Sequence, residues 1–280
     1  MRILLVVLVA ACGSVKANTT TDAPGPHDAR AIDAAGSGSA GIDAATCVAT
    51  PQGLGGRWRG EMNTTDDTGN STGMTEGTAF SYVPGKHGDA FSFDGTTNAV
   101  EINDGDHLWP AASFSLELWV NSLSQTGGEL VRKYQCSLNC VAGESTAYWD
   151  LALAANGNPS FGTRTDAGAN IIETTDTLHA VNDGHWHHLV GVRDATASTD
   201  ILYVDGQLAA TTSLAPVDDG PMTNQDGEVD PITFGAAIDG GKSTLVGFFA
   251  GGIDEVAYYS QALTASQIAA IYAAPDGECH

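Results

Sequence analysis

Ser113-Phe114-Ser115-Leu116-Glu117-Leu118-Trp119-Val120 alternates without a break. On an extended chain successive side chains face opposite ways. Phe114, Leu116, Leu118 and Val120 therefore line one face, and Glu117 and Trp119 the other. An apolar face backed by a mixed one marks a strand of an antiparallel sheet lying over a core. Phe91-Ser92-Phe93 and Ile201-Leu202-Tyr203-Val204 read the same way, and Asp205-Gly206 is a two-residue hairpin turn into residues 207–212. The run 151–154, preceded by Tyr148 and Trp149, is a weaker strand of the same kind. Gly, Asn and Asp turns separate these runs and helical periodicity is almost absent. The fold class is all-β: two antiparallel sheets packed as a sandwich. One short helix closes the chain. Thr264 is its N-cap, Gln267 completes a capping box, Ile268, Ile271 and Tyr272 share one side, and Pro275 ends it.

Three further fragments stand around these strands: Trp186-His187-His188-Leu189-Val190, Leu202-Tyr203-Val204-Asp205-Gly206, and Gly252-Ile253-Asp254-Glu255-Val256-Ala257-Tyr258-Tyr259. In this order, with Asp67-Thr68-Gly69-Asn70 and the segment from Tyr82 to Gly95, they resemble the laminin-G-like jelly-roll domain. That fold is shared by concanavalin-type lectins, pentraxins and laminarinase-type glucanases. Arg57 and Gly60 depart from the family's first strand. The resemblance implies a two-sheet antiparallel jelly roll with its core over residues 54–273. It leaves activity open, because the fold carries binders and enzymes alike.

The chain opens with Met1-Arg2, an apolar run from Ile3 to Ala10, and Val9-Ala10-Ala11-Cys12. The run is too short to span a bilayer and reads as a secretory signal within residues 1–17. Its small-small-Cys ending resembles a bacterial lipobox. Cleavage before Cys12, with lipid on that cysteine, is preferred to cleavage after Val15-Lys16-Ala17. Residues 13–46 mix Gly, Pro, Ala and Asp without an aromatic side chain, too little apolar surface to fold, and read as a disordered tether. The jelly roll takes residues 47–280. The expected address is the cell envelope, as an outer-membrane or cell-surface lipoprotein, or else secretion. Membrane contact is then through the lipid anchor only.

Asp and Glu number 34 against 11 Lys and Arg, a formal charge of -23. Such a surface repels polyanions and excludes nucleic acid as a partner. Besides Cys12 there are four cysteines, with three pairings open. The jelly-roll resemblance brings the domain's ends together, implying Cys47 with Cys279 and leaving Cys136 with Cys140.

The resemblance also implies a Ca²⁺ site near the first and last strands, from Asp254, the Asp94-Gly95 turn and Glu61; hard oxygen donors suit that ion. A second acidic loop, Asp218, Asp219, Asp226, Glu228 and Asp230, is a further candidate. His185 and His187 share a strand face, but no third metal ligand is visible near them, and they read as structural. Trp119 beside Glu117, with Trp149 on what reads as a neighbouring strand, is the candidate sugar platform, a ring to stack on and a carboxylate for hydroxyls; the alternative, which is preferred, is a structural tryptophan covered by a loop. Catalytic residues are not assigned. The paired carboxylates on one strand that a laminarinase-type hydrolase needs are missing, since Glu117 stands alone and Asp254 and Glu255 face opposite ways. The expected function is non-catalytic binding of a neutral glycan or a surface protein, assisted by Ca²⁺. The alternatives are a polysaccharide-cleaving enzyme with a degenerate site and a structural envelope protein.

Overall fold

The computed structural model describes residues 46–78, 80–103, 107–134, 147–168, 170–223, 230–238 and 244–279. Strands are numbered in chain order. The first sheet holds β1 (Leu54–Trp58), β3 (Ser81–Pro84), β4 (Asp89–Asp94), β6 (Phe114–Asn121), β11 (His187–Asp194), β12 (Thr199–Val204), β13 (Gln207–Ser213) and β17 (Ala250–Tyr259). The second holds β2 (Thr72–Glu76), β5 (Ala99–Asn103), β7 (Gly128–Tyr134), β8 (Tyr148–Leu153), β9 (Pro159–Arg164), β10 (Ile172–Thr175) and β14 (Ile232–Phe234). A small hairpin, β15 (Ala237–Ile238) with β16 (Leu245–Val246), stands apart, and helix α1 spans Ala265–Ala273.

Spatial order is β13-β12-β11-β6-β17-β4-β3 in the first sheet, with β1 also on β17, and β10-β9-β8-β7-β14-β5-β2 in the second. Neighbours such as β6 and β17 are remote in sequence, as a jelly roll's long crossings require. The expected alternation on β6 is present. Phe114, Leu116, Leu118 and Val120 enter the core between the sheets, with Phe91, Leu189 and Ile253 beside them and Val100, Leu151, Phe161 and Phe234 opposite. A second apolar cluster lies on the outer face of the first sheet, where Val190, Val192, Ala257 and Tyr259 meet Leu263, Ile268 and Ile271.

Local signals hold in detail. Asp205 and Gly206 have φ of 50° and 73°, the positive pair of a type I′ hairpin turn. Thr264 accepts from the Gln267 N–H while the Gln267 side chain accepts from the Thr264 N–H, closing the capping box. Cys47 and Cys279 form the expected disulfide. Beside it Val48 pairs with Glu278, so the ends of the domain are tied together. Cys136, Cys140, Cys12, the signal segment and the tether lie outside the described residues. One placement corrects the sequence reading: Trp149 is on β8 of the second sheet and does not neighbour Trp119 on β6.

Candidate functional site

The face of β6 that carries Glu117 and Trp119 is covered. Both residues are buried, beneath α1 and the segment that leads to Cys279. Trp119 stacks on Tyr272 of α1 at 5.7 Å, and His188 completes a three-ring cluster at 5.0 Å from Trp119 and 6.1 Å from Tyr272, with the Lys86 ammonium 4.2 Å from the Trp119 ring centre. The Glu117 carboxylate meets His188 Nε2 at 3.0 Å and accepts from the Tyr259 hydroxyl at 3.1 Å. Tyr259 also donates to Glu278 at 2.7 Å, and Glu278 pairs with Arg57. A closed polar network therefore occupies the expected sugar platform. Trp149 presents no surface either, being buried in the core with its Nε1 donating to the Leu108 carbonyl at 3.2 Å.

Of the expected calcium ligands, Asp254 and Glu61 meet at one hairpin and the Asp94-Gly95 turn stands apart. Asp254 Oδ2 accepts from the amides of Lys86 and His87 at 2.8 and 3.0 Å, and Oδ1 from Glu255 N–H at 2.8 Å. Burial still pushes its pKa up to about 7. Glu61 accepts from Asp89 N–H at 3.2 Å, so both carboxylates hold the hairpin between β3 and β4. Asp94 is spent on its own turn, accepting from Thr96 and Thr97 amides at 2.7 and 2.8 Å. It lies opposite Ala250, four residues along β17 from Asp254, about 13 Å at the rise of a strand. Among the described residues, no three His, Cys, Asp or Glu side chains are placed to hold a metal ion.

The second acidic loop is likewise engaged with the domain. The Asp218 carbonyl accepts from Arg193, Asp219 accepts from Ser198, and the Asp230 carbonyl accepts from Lys133. Asp226 and Glu228 lie outside the described residues. His188 is wholly buried against Glu117, and His187 sits between Asp205 and Asp183, which raise its pKa against the opposing effect of burial.

Two arrangements were not legible in advance. The first is a row across the outer face of the second sheet. Met74, Glu101, Thr233, Arg132, Asp150, Gly162 and Glu173 stand opposite one another on β2, β5, β14, β7, β8, β9 and β10. Six interstrand steps of about 4.8 Å make it about 29 Å long. Asp150 accepts from Tyr148 Oη and from Gly162 N–H, while Glu129 pairs with Arg132 at 3.1 Å. Burial, and then the Glu129 and Glu173 carboxylates, hold the Asp150 carboxyl well above its usual range. The middle of the row is closed, for Thr233, Tyr148 and Asp150 are all buried.

The second arrangement is open. Where the segment 107–113 leads into β6 it walls a groove of about 570 Å³ with Gly55, Asn70, Tyr258 and Ser260. Trp109, Leu108 and Tyr258 supply apolar surface, and Asn70, His107, Ser113 and Ser260 supply hydrogen-bonding groups. None of its eleven wall residues is Asp, Glu, Lys or Arg. The segment is fixed from beneath. Leu108 is held through Trp149 Nε1, and the Pro110 carbonyl accepts from Met222 N–H at 2.9 Å. A mostly apolar concavity with a few polar groups is the usual form of a small-ligand site.

Comparison with known proteins agrees with this architecture. A laminin-G family model, described as the concanavalin A-like lectin/glucanases superfamily, matches residues 94–269. The chain belongs to that superfamily. Among solved structures it is similar to domain 4 of a GH43 extracellular arabinanase from Geobacillus stearothermophilus, determined in complex with arabinotriose. Identity is 19% and the TM-score 0.57, over 77% of this chain and 96% of that one. The binding domain of Paraclostridial Mosquitocidal Protein 1 matches at 17% identity and TM-score 0.57, over 79% of this chain and 52% of that one. The binding domain of botulinum neurotoxin serotype D/C matches at 12% and 0.57, over 80% and 52%. The chain thus spans about half the length of these two toxin domains. At such identities the likeness establishes the fold. Curated protein sequences give no match. No helix among the described residues is long and apolar enough to cross a membrane.

Proposed function

We propose that this protein is a non-catalytic, exported binding module that takes a neutral saccharide in the groove walled by Trp109. The observation that carries this reading is the groove's charge. In a chain of net charge -23, no described wall residue of the open groove is Asp, Glu, Lys or Arg. An uncharged hydroxylated ligand loses nothing to repulsion there. It gains stacking on an aromatic wall and hydrogen bonds from Asn70, His107 and the serines. The similar arabinanase domain, solved with arabinotriose, supports a saccharide of a few rings as the ligand class. Lipid on Cys12 and a flexible segment 13–46 would present the module at a membrane surface.

The test is retention of the purified chain on immobilised neutral polysaccharides, arabinan among them, in calcium and again in EDTA. Retention is expected in both buffers, because Asp254, Glu61 and Asp94 do not border the groove. No retention on any glycan would overturn the saccharide reading and favour a protein partner.

A second reading, polysaccharide cleavage, has one observation in its favour. Burial, with Glu129 and Glu173 beside it, raises the pKa of Asp150, the direction a glycosidase's acid needs. Release of reducing ends that disappears in Asp150→Asn would establish it. Its buried position makes binding the preferred reading.

A further inference from the structure

We infer that Lys133 is a positioning residue of the saccharide groove, its buried ammonium holding the Trp109 ring in place; this rests on the saccharide reading above. Lys133 stands on β7 opposite Trp149 and Ile232, both core residues, so its side chain starts on the inner face of the sheet. It is fully buried. An ammonium taken out of water in this way costs several kcal/mol before its contacts are counted. A methionine or leucine would fill the same place without that cost. Two of its contacts bear on the groove. Nζ donates to the Asp230 carbonyl and lies 4.9 Å from the centre of the Trp109 ring, within cation–π range. Lys133 is not itself part of the groove wall, whereas Trp109 is.

The backbone on either side of Trp109 is fixed independently, through the Leu108 and Pro110 carbonyls. The ring itself is partly buried and packs against the hydrophobic core. Its Nε1 is buried and has no hydrogen-bond partner, so hydrogen bonding does not set its rotamer. The Lys133 ammonium adds a charged contact to that packing. A stacking platform works only if the ring is already in place when the sugar arrives, because ordering it on binding subtracts from affinity. Lys133 thus acts on the ligand through Trp109 and touches no ligand itself.

The experiment labels the chain with 5-fluorotryptophan, assigns the Trp109 resonance by its absence in Trp109→Phe, and compares wild type with Lys133→Met, Lys133→Gln and Lys133→Arg. Lys133→Met removes the charge and keeps the volume. Lys133→Gln keeps a donor for the Asp230 carbonyl without the charge, and serves if the methionine variant does not fold. In both, the Trp109 resonance is expected to shift and broaden, and saccharide affinity to fall by about three- to tenfold. Lys133→Arg, which keeps the cation, restores both. A Trp109 resonance unchanged in Lys133→Gln or Lys133→Met would overturn the inference. Should the wild type hold no saccharide, the binding reading fails by itself, and the fluorine spectra still decide whether Lys133 places the ring.

Discussion

Tyr272 of the C-terminal helix stacks on Trp119 of β6, their ring centres 5.7 Å apart and their planes 19° from parallel. The pair joins α1 to the outer face of the first sheet, and it turns an apparent ligand platform into a structural joint. Trp119→Ala is therefore expected to cost about 3–5 kcal/mol of stability, as for other buried aromatic side chains. Denaturant unfolding measures the loss. Saccharide retention by the folded fraction should be unchanged, and a selective loss of binding at wild-type stability would contradict this assignment.

Trp109 is the converse case. It is partly buried against the core and also walls the open groove. Trp109→Ala should lower the melting temperature by less than Trp119→Ala does and weaken saccharide binding at least about tenfold, since an aromatic anchor commonly carries about 2 kcal/mol or more. Titration calorimetry beside a thermal scan separates the two effects.

These two tryptophans also show how far the sequence could be read. Alternation along β6 assigned Phe114 to Val120 their faces correctly, because a strand's period is a local property. It could not say what covers the Trp119 face. That is decided by α1, which is remote in sequence and whose own cap was plain from Thr264 and Gln267. The row from Glu101 through Arg132 and Asp150 to Glu173 left no local pattern, for each member comes from a different strand and only the ladder registers bring them together. Trp109 did leave a trace. Residues 107–116 carry no Asp, Glu, Lys or Arg in a markedly acidic chain. A gap of this kind shows only when charge is counted by segment, since the chain's total of -23 hides it.

The disulfide between Cys47 and Cys279 closes nearly the whole domain, its ends 232 positions apart in the sequence. Cross-linking so long a loop lowers the entropy of the unfolded chain, and the double variant Cys47→Ser/Cys279→Ser should be less stable by about 5 kcal/mol. The consequence is also local. Glu278 is next to Cys279 and supplies the carboxylate that Arg57 and Tyr259 share. Hydrogen exchange should therefore rise first at the amides of residues 274–279 and in β1. Uniform protection in the double variant would show that the strap is held without the bond.

The pH dependence of stability follows from three buried carboxyls. Burial pushes Asp200 up to about 6, Asp254 up to about 7 and Glu255 up to about 8, from ordinary values of 3.8, 3.8 and 4.5. Below about pH 4 folded and unfolded chains are both protonated at these sites, and the groups favour neither. As pH rises the unfolded chain loses its protons first, so the folded state binds more of them and stability falls. The fall runs from about pH 4 to about 8 and then levels. His187, raised by Asp205 and Asp183, adds to it in the same sense, since its contribution is lost as it deprotonates. Asp183, held at about 2, acts only in the acid limb and is exposed. Urea midpoints measured between pH 4 and 9 should therefore decline through neutrality. Glu255→Gln should flatten the upper part of that decline, because it removes the carboxyl with the highest pKa of the three. A midpoint that instead rises from pH 5 to 8 would mean that these carboxylates are ionised and paired in the folded protein.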